Sequence, residues 1–460
     1  MTRIEQIEPY VPLAQVFDCM QTQPGTVFLD SSSESDLGRF SILGLSPYLV
    51  LEQIDGRTFE NGREIRSNLS DALKGHLARL DGRERSLQAP GLPFCAGALG
   101  FFSYDYGRAA ECGPSRHACE THVPDAWFAF HDLVLVEDRR MRTLWACCQG
   151  ESTDIGELSR TARALAAAKA PFVSQAGPTS SDAVSADFTK AEYERAVREL
   201  RRYIERGHTY VGNLTQRMRV RTGRDPRAAY RALREGSPAP YSAYIDGGDW
   251  KVLCSSMERF AMSDGKTIET RPIKGTRKRG ATPDEDAAMR RELERSEKER
   301  SELLMIVDLE RNDLARVCRP DSVVVPSHCA VEEYATVFHL VSTVAGTLRD
   351  GVSSLDALVS AFPGGSITGA PKIETMRIID ELERSRRGLY TGSIGYLSAR
   401  GGCDFNIVIR TAVWEDGAYT LGVGGGITYD SDPAFEYDEC LLKAKAVLEA
   451  IGAGGAHVRR

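Results

Sequence analysis

A segment rich in serine, glycine, proline and aspartate divides the chain into two parts. It has the sequence SQAGPTSSDAVSAD over residues 174–187 and follows an alanine-rich stretch. These residue types favour turns and loops, because glycine frees the backbone, proline restricts it and short polar side chains bond to nearby backbone groups. The pattern predicts a linker over residues 161–187, which would join a domain at 1–160 to a larger one at 188–460.

Length, charge and cysteine content limit the class of protein. The chain has 460 residues, a net charge of −7 and 11 cysteines without metal-ligand spacing. This length suits about two or three domains, and the charge predicts no nucleic-acid partner. No apolar run is long enough for a membrane span, the N-terminus lacks a signal-peptide pattern, and scattered cysteines are typical of free thiols. We therefore expect a cytoplasmic enzyme without a membrane partner.

Both parts of the chain contain recognisable secondary-structure patterns. The first part has strand-like runs at residues 25–33, 39–56 and 126–138. The second part begins with a capping box, Thr189 and Glu192, followed by an apolar stripe at helical spacing that ends at Gly207. A single helix is predicted over residues 291–309, and another begins with Asp432 as the N-cap residue.

The basic segment ETRPIKGTRKRG, residues 269–280, has Lys274 near its centre. Pro272 restricts the backbone and Gly275 frees it, so the segment is predicted to form a shaped turn and not a helix. Cations gathered around exposed backbone N–H groups suit an anionic small molecule, although a basic surface loop would have the same composition.

Two helices carry pairs of carboxylates at a spacing of three residues. Glu299 and Glu302 share a stripe with apolar residues, and Glu436 and Glu439 share a face of the last helix. Solvated helix faces show the same spacing, so the pairs are informative only if the helices converge. Each contact between like charges would then cost about 3 kcal/mol at an effective dielectric of ~20. Convergence would require a cation, and oxygen ligands favour Mg²⁺.

The glycine-rich segments match no familiar nucleotide-binding motif. GGSITGAPK lacks the glycine that precedes lysine in a phosphate-binding loop, and GVGGGIT differs from the dinucleotide fingerprint. The sequence also contains no recognisable cysteine nucleophile with a matching histidine. It therefore predicts no built-in glutaminase.

Many ordered motifs resemble those of the chorismate-utilising enzyme family, which includes aminodeoxychorismate, anthranilate, salicylate and isochorismate synthases. The matching segments are GNLTQR, SSMERF, RPIKGT, SELLMIVDLERNDLARVC, HLVSTVAG, PGGSITGAPK, RGLYTGSIGY, FNIVIRT and GGGITYDSDPAFEYDE. The resemblance covers residues 188 to the last helix, and FLDSS and LPFCAGALGFFSYDYG extend it to the first part. It implies an α+β fold in which two β-sheets pack as a sandwich with helices outside.

The resemblance also assigns site residues. It implies that Mg²⁺ is held by Glu302 and Glu439, with Glu299 and Glu436 bound directly or through water. It implies that Glu258 is the general acid. The remaining positions implied to face chorismate are His339 beside the ring, Arg410 and Tyr390 at the enolpyruvyl carboxylate, Gly275 and Ser366 at the ring carboxylate, and Lys443, Thr276, Asn213, Gly425 and Gly426.

With lysine at position 274, the chain resembles the aminodeoxychorismate-forming branch of the family. The anthranilate and salicylate branches resemble this chain but have alanine in PIAGT. A lysine amine that adds at C2 as the 4-hydroxyl leaves, and is then displaced by ammonia at C4, splits one difficult substitution into two. Enzymes of the family that add water use a lysine base near Val211, and this chain has none there.

The resemblance implies that a separate glutaminase subunit supplies the ammonia. Two alternatives remain: an anthranilate synthase component I, and a non-catalytic regulatory paralogue that binds an amino acid. The second would be expected to lack Glu258 or the metal-ligating glutamates, all of which this chain has.

Overall fold

The computed structural model of the chain describes residues 2–33, 36–84, 91–169, 184–334, 337–454 and 458–459. Its strands are β1 (Arg3–Ile7), β2 (Val27–Asp30), β3 (Phe40–Ile54), β4 (Arg57–Glu60), β5 (Arg63–Ile65), β6 (Gly97–Phe102), β7 (Ala126–Asp138), β8 (Thr143–Cys148), β9 (Val184–Ala186), β10 (Val211–Arg221), β11 (Tyr241–Asp246), β12 (Trp250–Ser256), β13 (Arg259–Ser263), β14 (Thr267–Arg271), β15 (Ile273–Lys278), β16 (Val324–Glu333), β17 (Val337–Thr347), β18 (Gly369–Ala370), β19 (Ser393–Ser398), β20 (Cys403–Asn406), β21 (Thr411–Glu415), β22 (Ala418–Ile427) and β23 (Val458–Arg459). Its helices are α1 (Leu13–Cys19), α2 (Leu69–Glu84), α3 (Tyr104–Cys112), α4 (Ile155–Ala167), α5 (Lys190–Glu205), α6 (Pro226–Gly236), α7 (Pro283–Arg295), α8 (Glu297–Ala315), α9 (Ser354–Ala361), α10 (Lys372–Leu382) and α11 (Pro433–Ala450).

The two long strands β3 and β7 pair with each other along most of their length and belong to two sheets at once. One sheet has the order β9–β10–β22–β21–β12–β11–β2–β3–β7–β8–β1. The other has the order β5–β4–β3–β7–β6–β19–β20–β13–β14–β17, with β15 beside β14 on the same edge of β17 and β16 on the other edge. The pairing of β3 with β7 shifts between Pro47 and Leu49, where one sheet passes into the other.

Alternating side chains along the strands sort the core into three layers. Ala243 and Ile245 belong to a cluster that also contains Leu99 and Phe101 of the other sheet, so this cluster lies between the sheets. Tyr244, between them in sequence, belongs to an outer cluster. A third cluster packs α2 and α7–α10 on the far face of the second sheet. This two-residue alternation buries both faces of each sheet. The predicted α+β sandwich with outer helices is confirmed.

The caps predicted from sequence are present. The Thr189 hydroxyl accepts the backbone N–H of Glu192, and the Glu192 carboxylate accepts the N–H of Thr189 in return. Asp432 caps α11 by accepting the N–H of Phe435, and Pro433 occupies the first helical position. All 11 cysteines are free thiols. None of the helices in the described ranges is long and apolar enough to cross a membrane.

The basic segment is not the turn that the sequence predicts. Residues up to Arg271 belong to β14 and residues from Ile273 belong to β15, so the segment follows one edge of β17 with an interruption at Pro272. Gly275 does adopt a positive φ of 67°, at a bulge in this pairing. The prediction was wrong because hydrogen bonding to β17 is a long-range interaction that local composition does not reveal.

The single helix predicted over residues 291–309 is in fact two helices. The first ends at Arg295, and Ser296 caps the second by accepting the N–H of Glu299. Serine is a strong N-cap residue because its side chain competes for backbone donors. The helical periodicity on both sides of Ser296 hid this break.

Part of the predicted linker is helical, since α4 continues to Ala167 and buries Ala162 and Ala166. Residues 170–183, with most of SQAGPTSSDAVSAD, lie outside the described residues. Strands on either side of the predicted boundary pair directly, β2 with β11 and β6 with β19. The division into residues 1–160 and 188–460 stays a prediction.

Candidate active site

Lys274 lies at the centre of the site residues that are predicted from the sequence. It precedes the bulge at Gly275, and its ammonium group donates to the backbone carbonyl oxygen of Ser366 at 3.3 Å. A Cβ atom at Gly426 would lie 3.8 Å from the Lys274 nitrogen. The structure therefore brings together Lys274, Ser366 and Gly426 from three distant parts of the chain.

Glu258 is buried beside this group. Its carboxylate accepts hydrogen bonds from the Ser366 hydroxyl and the backbone N–H of Ile273, and it lies within the electrostatic reach of Lys274. Burial raises the pKa of Glu258 above its ordinary value, although these three partners oppose the shift. A carboxyl group that keeps its proton more readily is suited to general acid catalysis.

His339 on β17 lies opposite Thr276 on β15. The Thr276 hydroxyl and His339 Nδ1 share a hydrogen bond of 3.0 Å. Burial, together with the nearby positive charge of Arg410, lowers the pKa of His339 to about 4. The imidazole is therefore neutral at neutral pH, and Arg410 lies close enough to influence it.

Arg410 is a largely buried cation without an acidic partner. Burial lowers the pKa of Arg410 from its ordinary value. Its guanidinium donates to the Ser237 hydroxyl at 3.4 Å, and none of the carboxylates in the described ranges forms an ion pair with it. Because a buried charge is costly unless it is paired, this position suits an anionic ligand.

Tyr390 packs against the strand that carries Gly426. A Cβ atom at Gly422 would lie 2.1 Å from the Tyr390 ring, and Gly422 and Gly426 face the same side of β22. Tyr390 lines a cavity whose wall does not include Lys274. No hydrogen bond joins Tyr390 to Arg410 among the residues that the structure describes. The predicted role of Tyr390 toward substrate stays a prediction.

Asn213 and Gly425 lie on the paired strands β10 and β22. Asn213 pairs with Gly426, and its side-chain amide donates to the carbonyl oxygen of Ile367 at 3.1 Å. A Cβ atom at Gly425 would lie 3.4 Å from both a carboxylate oxygen of Glu436 and the ammonium of Lys443. At Gly425 and Gly426, strand β22 therefore lies between Lys274 and the acidic residues of α11. Little more than the backbone of this strand separates them.

Acidic residues of the two helices lie within electrostatic reach of one another. Burial raises the pKa of Glu302 on α8, and the charge of Glu436 on α11 contributes in the same direction, whereas Lys274 opposes it. Burial also raises the pKa of Glu436, with a contribution from Glu439. The two helices therefore bring like charges close together in a partly buried place.

The donor set is chemically right for Mg²⁺, because it consists of carboxylate oxygens under mutual repulsion that a cation would relieve. Glu439 forms an ion pair of 2.7 Å with Lys443, and Glu299 lies 3.5 Å from Arg277. Within the described residues, no group of three or more His, Cys, Asp or Glu side chains is close enough to hold a metal ion. The four-glutamate ligand set stays a prediction.

The sequence did not single out Glu310 or Arg387. Glu310 on α8 is buried and accepts a hydrogen bond of 2.6 Å from the Thr270 hydroxyl. Burial, to which the charge of Glu258 adds, raises the pKa of Glu310 to about 8. Arg387 is buried with its guanidinium bonded to Glu383. The sequence offers no local signal for Glu310, which lies in the mainly polar run LERND, whereas Arg387 begins the motif RGLY that the family resemblance matched.

Comparisons with known proteins identify the family of the chain. The pattern of the chorismate binding enzyme family matches residues 27–449. The chain is 38% identical over 449 residues to aminodeoxychorismate synthase component 1 of Bacillus subtilis (strain 168), covering 95% of this chain and 94% of the relative. It is 36% identical over 437 residues to anthranilate synthase component 1 of Acetivibrio thermocellus, covering 91% and 88%.

A solved structure has the same fold. The crystal structure of anthranilate synthase component I from Streptococcus pneumoniae TIGR4 superposes with a TM-score of 0.79 and 29% sequence identity, covering 96% of this chain and 98% of that chain. The family match spans nearly the whole chain, and both sequence relatives exceed 30% identity over most of its length. The chain is therefore an enzyme that belongs to the family of chorismate binding enzymes.

Proposed function

We propose that the protein is the chorismate-aminating component of an aminodeoxychorismate synthase. It converts chorismate and ammonia to 4-amino-4-deoxychorismate, on the route to p-aminobenzoate and folate. The observation that carries this proposal is the place of Lys274. Its amine lies within electrostatic reach of the buried acid Glu258 and of the acidic helix residue Glu302, and it lies near Gly426.

The proposed reaction has two substitutions. In the first, the neutral amine of Lys274 forms a bond to C2, both double bonds of the ring diene shift, and the C4–O bond breaks. Glu258 gives its proton to the departing hydroxyl, which leaves as water. In the second, ammonia bonds to C4, both double bonds shift back, the bond between Lys274 and C2 breaks, and a proton from the new ammonium returns to Glu258. Each step is an allylic substitution with a good leaving group.

The substrate is a dianion, and the site supplies cationic groups for it. Arg410 binds the enolpyruvyl carboxylate, with Tyr390 and the backbone N–H groups near Gly426. Neutral His339 lies beside the ring, where it can donate or accept a hydrogen bond without adding charge. Its neutrality follows from its lowered pKa, which has burial as its main cause.

The ring carboxylate binds near Gly275, Ser366 and Thr276. Glu302 and Glu439, with Glu299 and Glu436, would hold Mg²⁺, which would neutralise this carboxylate, and Lys443 would lie beside it. The closeness of Gly275 to Glu299 supports this, since a Cβ atom at Gly275 would lie 3.1 Å from the Glu299 carboxylate. Without metal, Glu439 and Glu299 keep their ion pairs with Lys443 and Arg277.

A partner subunit that hydrolyses glutamine supplies the ammonia in this proposal, and the two subunits form a heterodimer in the cytoplasm. The sequence supports this because it contains no recognisable glutaminase nucleophile of its own. The free state of the cysteines agrees with a reducing compartment.

The second candidate is anthranilate synthase component I. Its support is the similar identity to relatives of either name, 38% and 36%. Lys274 decides between them, because the amine would have no role in placing nitrogen at C2. The third candidate, a regulatory paralogue without activity, is disfavoured because Glu258 and the acidic helix residues are present.

The test is the product formed from chorismate, Mg²⁺ and an ammonium salt by the purified chain alone, identified by chromatography and mass spectrometry. We expect 4-amino-4-deoxychorismate. Anthranilate would establish the second candidate, and binding of chorismate without conversion would establish the third. Glu258→Gln is the matched control, because it keeps the shape of the site and removes the acid.

A further inference from the structure

The guanidinium of Arg387 is one of the most fully bonded groups in the molecule. Its side chain is 2% exposed. Nε and Nη2 donate to the two carboxylate oxygens of Glu383 at 3.0 and 2.7 Å. Nη1 donates to the Ile367 carbonyl oxygen at 2.8 Å and to the Thr391 hydroxyl at 3.3 Å. Nη2 also donates to the Asn213 carbonyl oxygen at 2.5 Å. All five N–H donors of the side chain are therefore used.

These bonds join segments that carry candidate site residues. Ile367 directly follows Ser366, whose carbonyl oxygen and hydroxyl hold Lys274 and Glu258. Asn213 lies on the strand that pairs with Gly426. The backbone N–H of Tyr390 donates to the carbonyl oxygen of Arg387 itself at 3.2 Å. The side chain thus bonds two separate segments of the site and the backbone of the same residue bonds a third, although Arg387 is not among the residues assigned to substrate.

The first part of the chain holds Arg387 from the opposite side. The guanidinium lies over the ring of Tyr104 at 4.6 Å from its centroid. The backbone N–H of Tyr104 donates to the Gly388 carbonyl oxygen at 3.0 Å, and the Gly388 N–H donates to Asp105 at 2.9 Å. The start of α3 therefore fixes the turn that leads from Arg387 to Tyr390.

A buried ion pair of this kind is poor evidence for stability. The cost of removing both charges from water commonly cancels their attraction, so an apolar pair could stabilise the fold equally well. What an apolar pair could not provide is a planar fork that bonds two backbone carbonyls, a hydroxyl and a carboxylate in fixed directions. The bonds of Arg387 therefore fix the relative positions of the groups that accept them.

We propose that Arg387 is a positioning residue for the substrate site. It sets the place of the turn that contains Ser366, and through it Lys274 and Glu258, together with Asn213 and the turn of Tyr390. Tyr104 holds its guanidinium in plane. This inference rests on the proposed function, since it assumes that chorismate binds beside Lys274.

The experiment measures chorismate binding by titration calorimetry, and kcat and KM with ammonium salt, for Arg387→Lys. Lysine keeps a cation beside Glu383 but has three donors on a single nitrogen, so it cannot reproduce the five bonds of the planar guanidinium. We expect Kd and KM to rise by about tenfold or more, the factor for about 1.4 kcal/mol of lost interaction, while the binding stoichiometry stays near one. A residue needed only for folding would lower the stoichiometry and leave Kd unchanged, and that result would overturn the inference.

Tyr104 provides a second test that does not remove the buried charge. Tyr104→Leu removes the ring face beneath the guanidinium and should weaken chorismate binding by about threefold or more, at the lower range of cation–π contributions. Tyr104→Phe is the matched control, because the Tyr104 hydroxyl is buried and makes no hydrogen bond within the described residues. Its Kd should equal that of the unmodified chain.

The outcomes also separate this inference from the function on which it rests. Failure of the unmodified chain to bind chorismate would overturn both. Tight binding by the unmodified chain, with unchanged Kd in Tyr104→Leu and Arg387→Lys, would overturn the positioning role alone. If Arg387→Lys does not fold, the comparison of Tyr104→Leu with Tyr104→Phe decides the question.

Discussion

Lys274 donates to the backbone carbonyl oxygen of Ser366 at 3.3 Å, and the hydroxyl of the same serine donates to Glu258. A single short turn, Gly365–Ile367, therefore holds both the amine proposed as nucleophile and the acid proposed to protonate the leaving group. Leu309 of α8 packs closely against Gly365, since a Cβ atom there would lie 2.8 Å from the leucine side chain. Ser366 thus links nucleophile and acid, through its carbonyl oxygen and its hydroxyl.

The first prediction concerns a covalent intermediate on Lys274. Without ammonia, chorismate should leave an adduct on the peptide that contains RPIKGT, detectable by mass spectrometry after proteolysis. Lys274→Ala should abolish the adduct and lower kcat, with each 1.4 kcal/mol of lost barrier reduction costing about tenfold.

Lys274→Arg separates covalent catalysis from simple ion pairing. Guanidinium stays protonated and cannot attack, so this variant should also be inactive and form no adduct. An active Lys274→Arg enzyme that still aminates C4 would refute the covalent mechanism. The family assignment would not be affected by that result.

The second prediction concerns the metal. Removal of divalent cations with a chelator should abolish activity, and added Mg²⁺ should restore it. Glu302→Gln or Glu439→Gln should weaken Mg²⁺ binding measured by calorimetry, because each removes one charge from the proposed ligand set. Full activity in excess chelator would show that the acidic helices have another purpose.

Local sequence signals predicted the starts of α5 and α11 and the strands β2, β3 and β7, but not the interactions that depend on the fold. Thr189 and Asp432 cap their helices because the responsible bonds lie within a few residues. Composition favoured a turn around Lys274, whereas pairing with Leu340 on β17 makes it a strand. The local sequence of a segment does not reveal which distant strand it will pair with.

In the candidate site, too, some features follow from local sequence and others depend on the fold. The spacing of Glu299 and Glu302 placed both on one helix face, but their nearness to Glu436 depends on how two helices pack. The family resemblance supplied the residues, and the structure supplied their neighbours. Arg387 was missed because two of its five bonds go to the backbone carbonyls of Ile367 and Asn213, which are distant in sequence and which no residue type reveals.

The third prediction concerns the nitrogen source. The purified chain should use ammonium salts and show no turnover with glutamine, since its sequence has no recognisable glutaminase nucleophile. Addition of a glutaminase subunit should make glutamine effective. The assay follows product formation as a function of pH, because ammonia rather than ammonium reacts. Glutamine-dependent turnover by the chain alone would show an unrecognised glutaminase activity.

The fourth prediction concerns Glu310, the buried carboxyl on α8. Burial is the main cause that raises the pKa of Glu310 to about 8 from an ordinary 4.5, while the Thr270 hydroxyl opposes the shift and the charges of Glu258 and Asp313 add to it. The folded protein therefore keeps this proton at neutral pH, whereas the unfolded chain loses it above about 4.5. The resulting stabilisation is complete below pH 4.5 and is lost as the pH rises to about 8.

Glu310→Gln should remove this dependence, since glutamine carries no proton to lose and can still accept from Thr270. The variant should be about as stable as the unmodified chain at pH 4 and more stable at pH 7, because the buried acid loses up to about 1.4 kcal/mol per pH unit between the two pKa values. Thermal unfolding at both pH values measures this. Glu297→Gln, exposed at the start of the same helix, is the control and should show no such gain, because a negative charge there favours the helix dipole. A loss of stability in Glu310→Gln that is equal at pH 4 and pH 7 would mean that Glu310 contributes a hydrogen bond and not a retained proton.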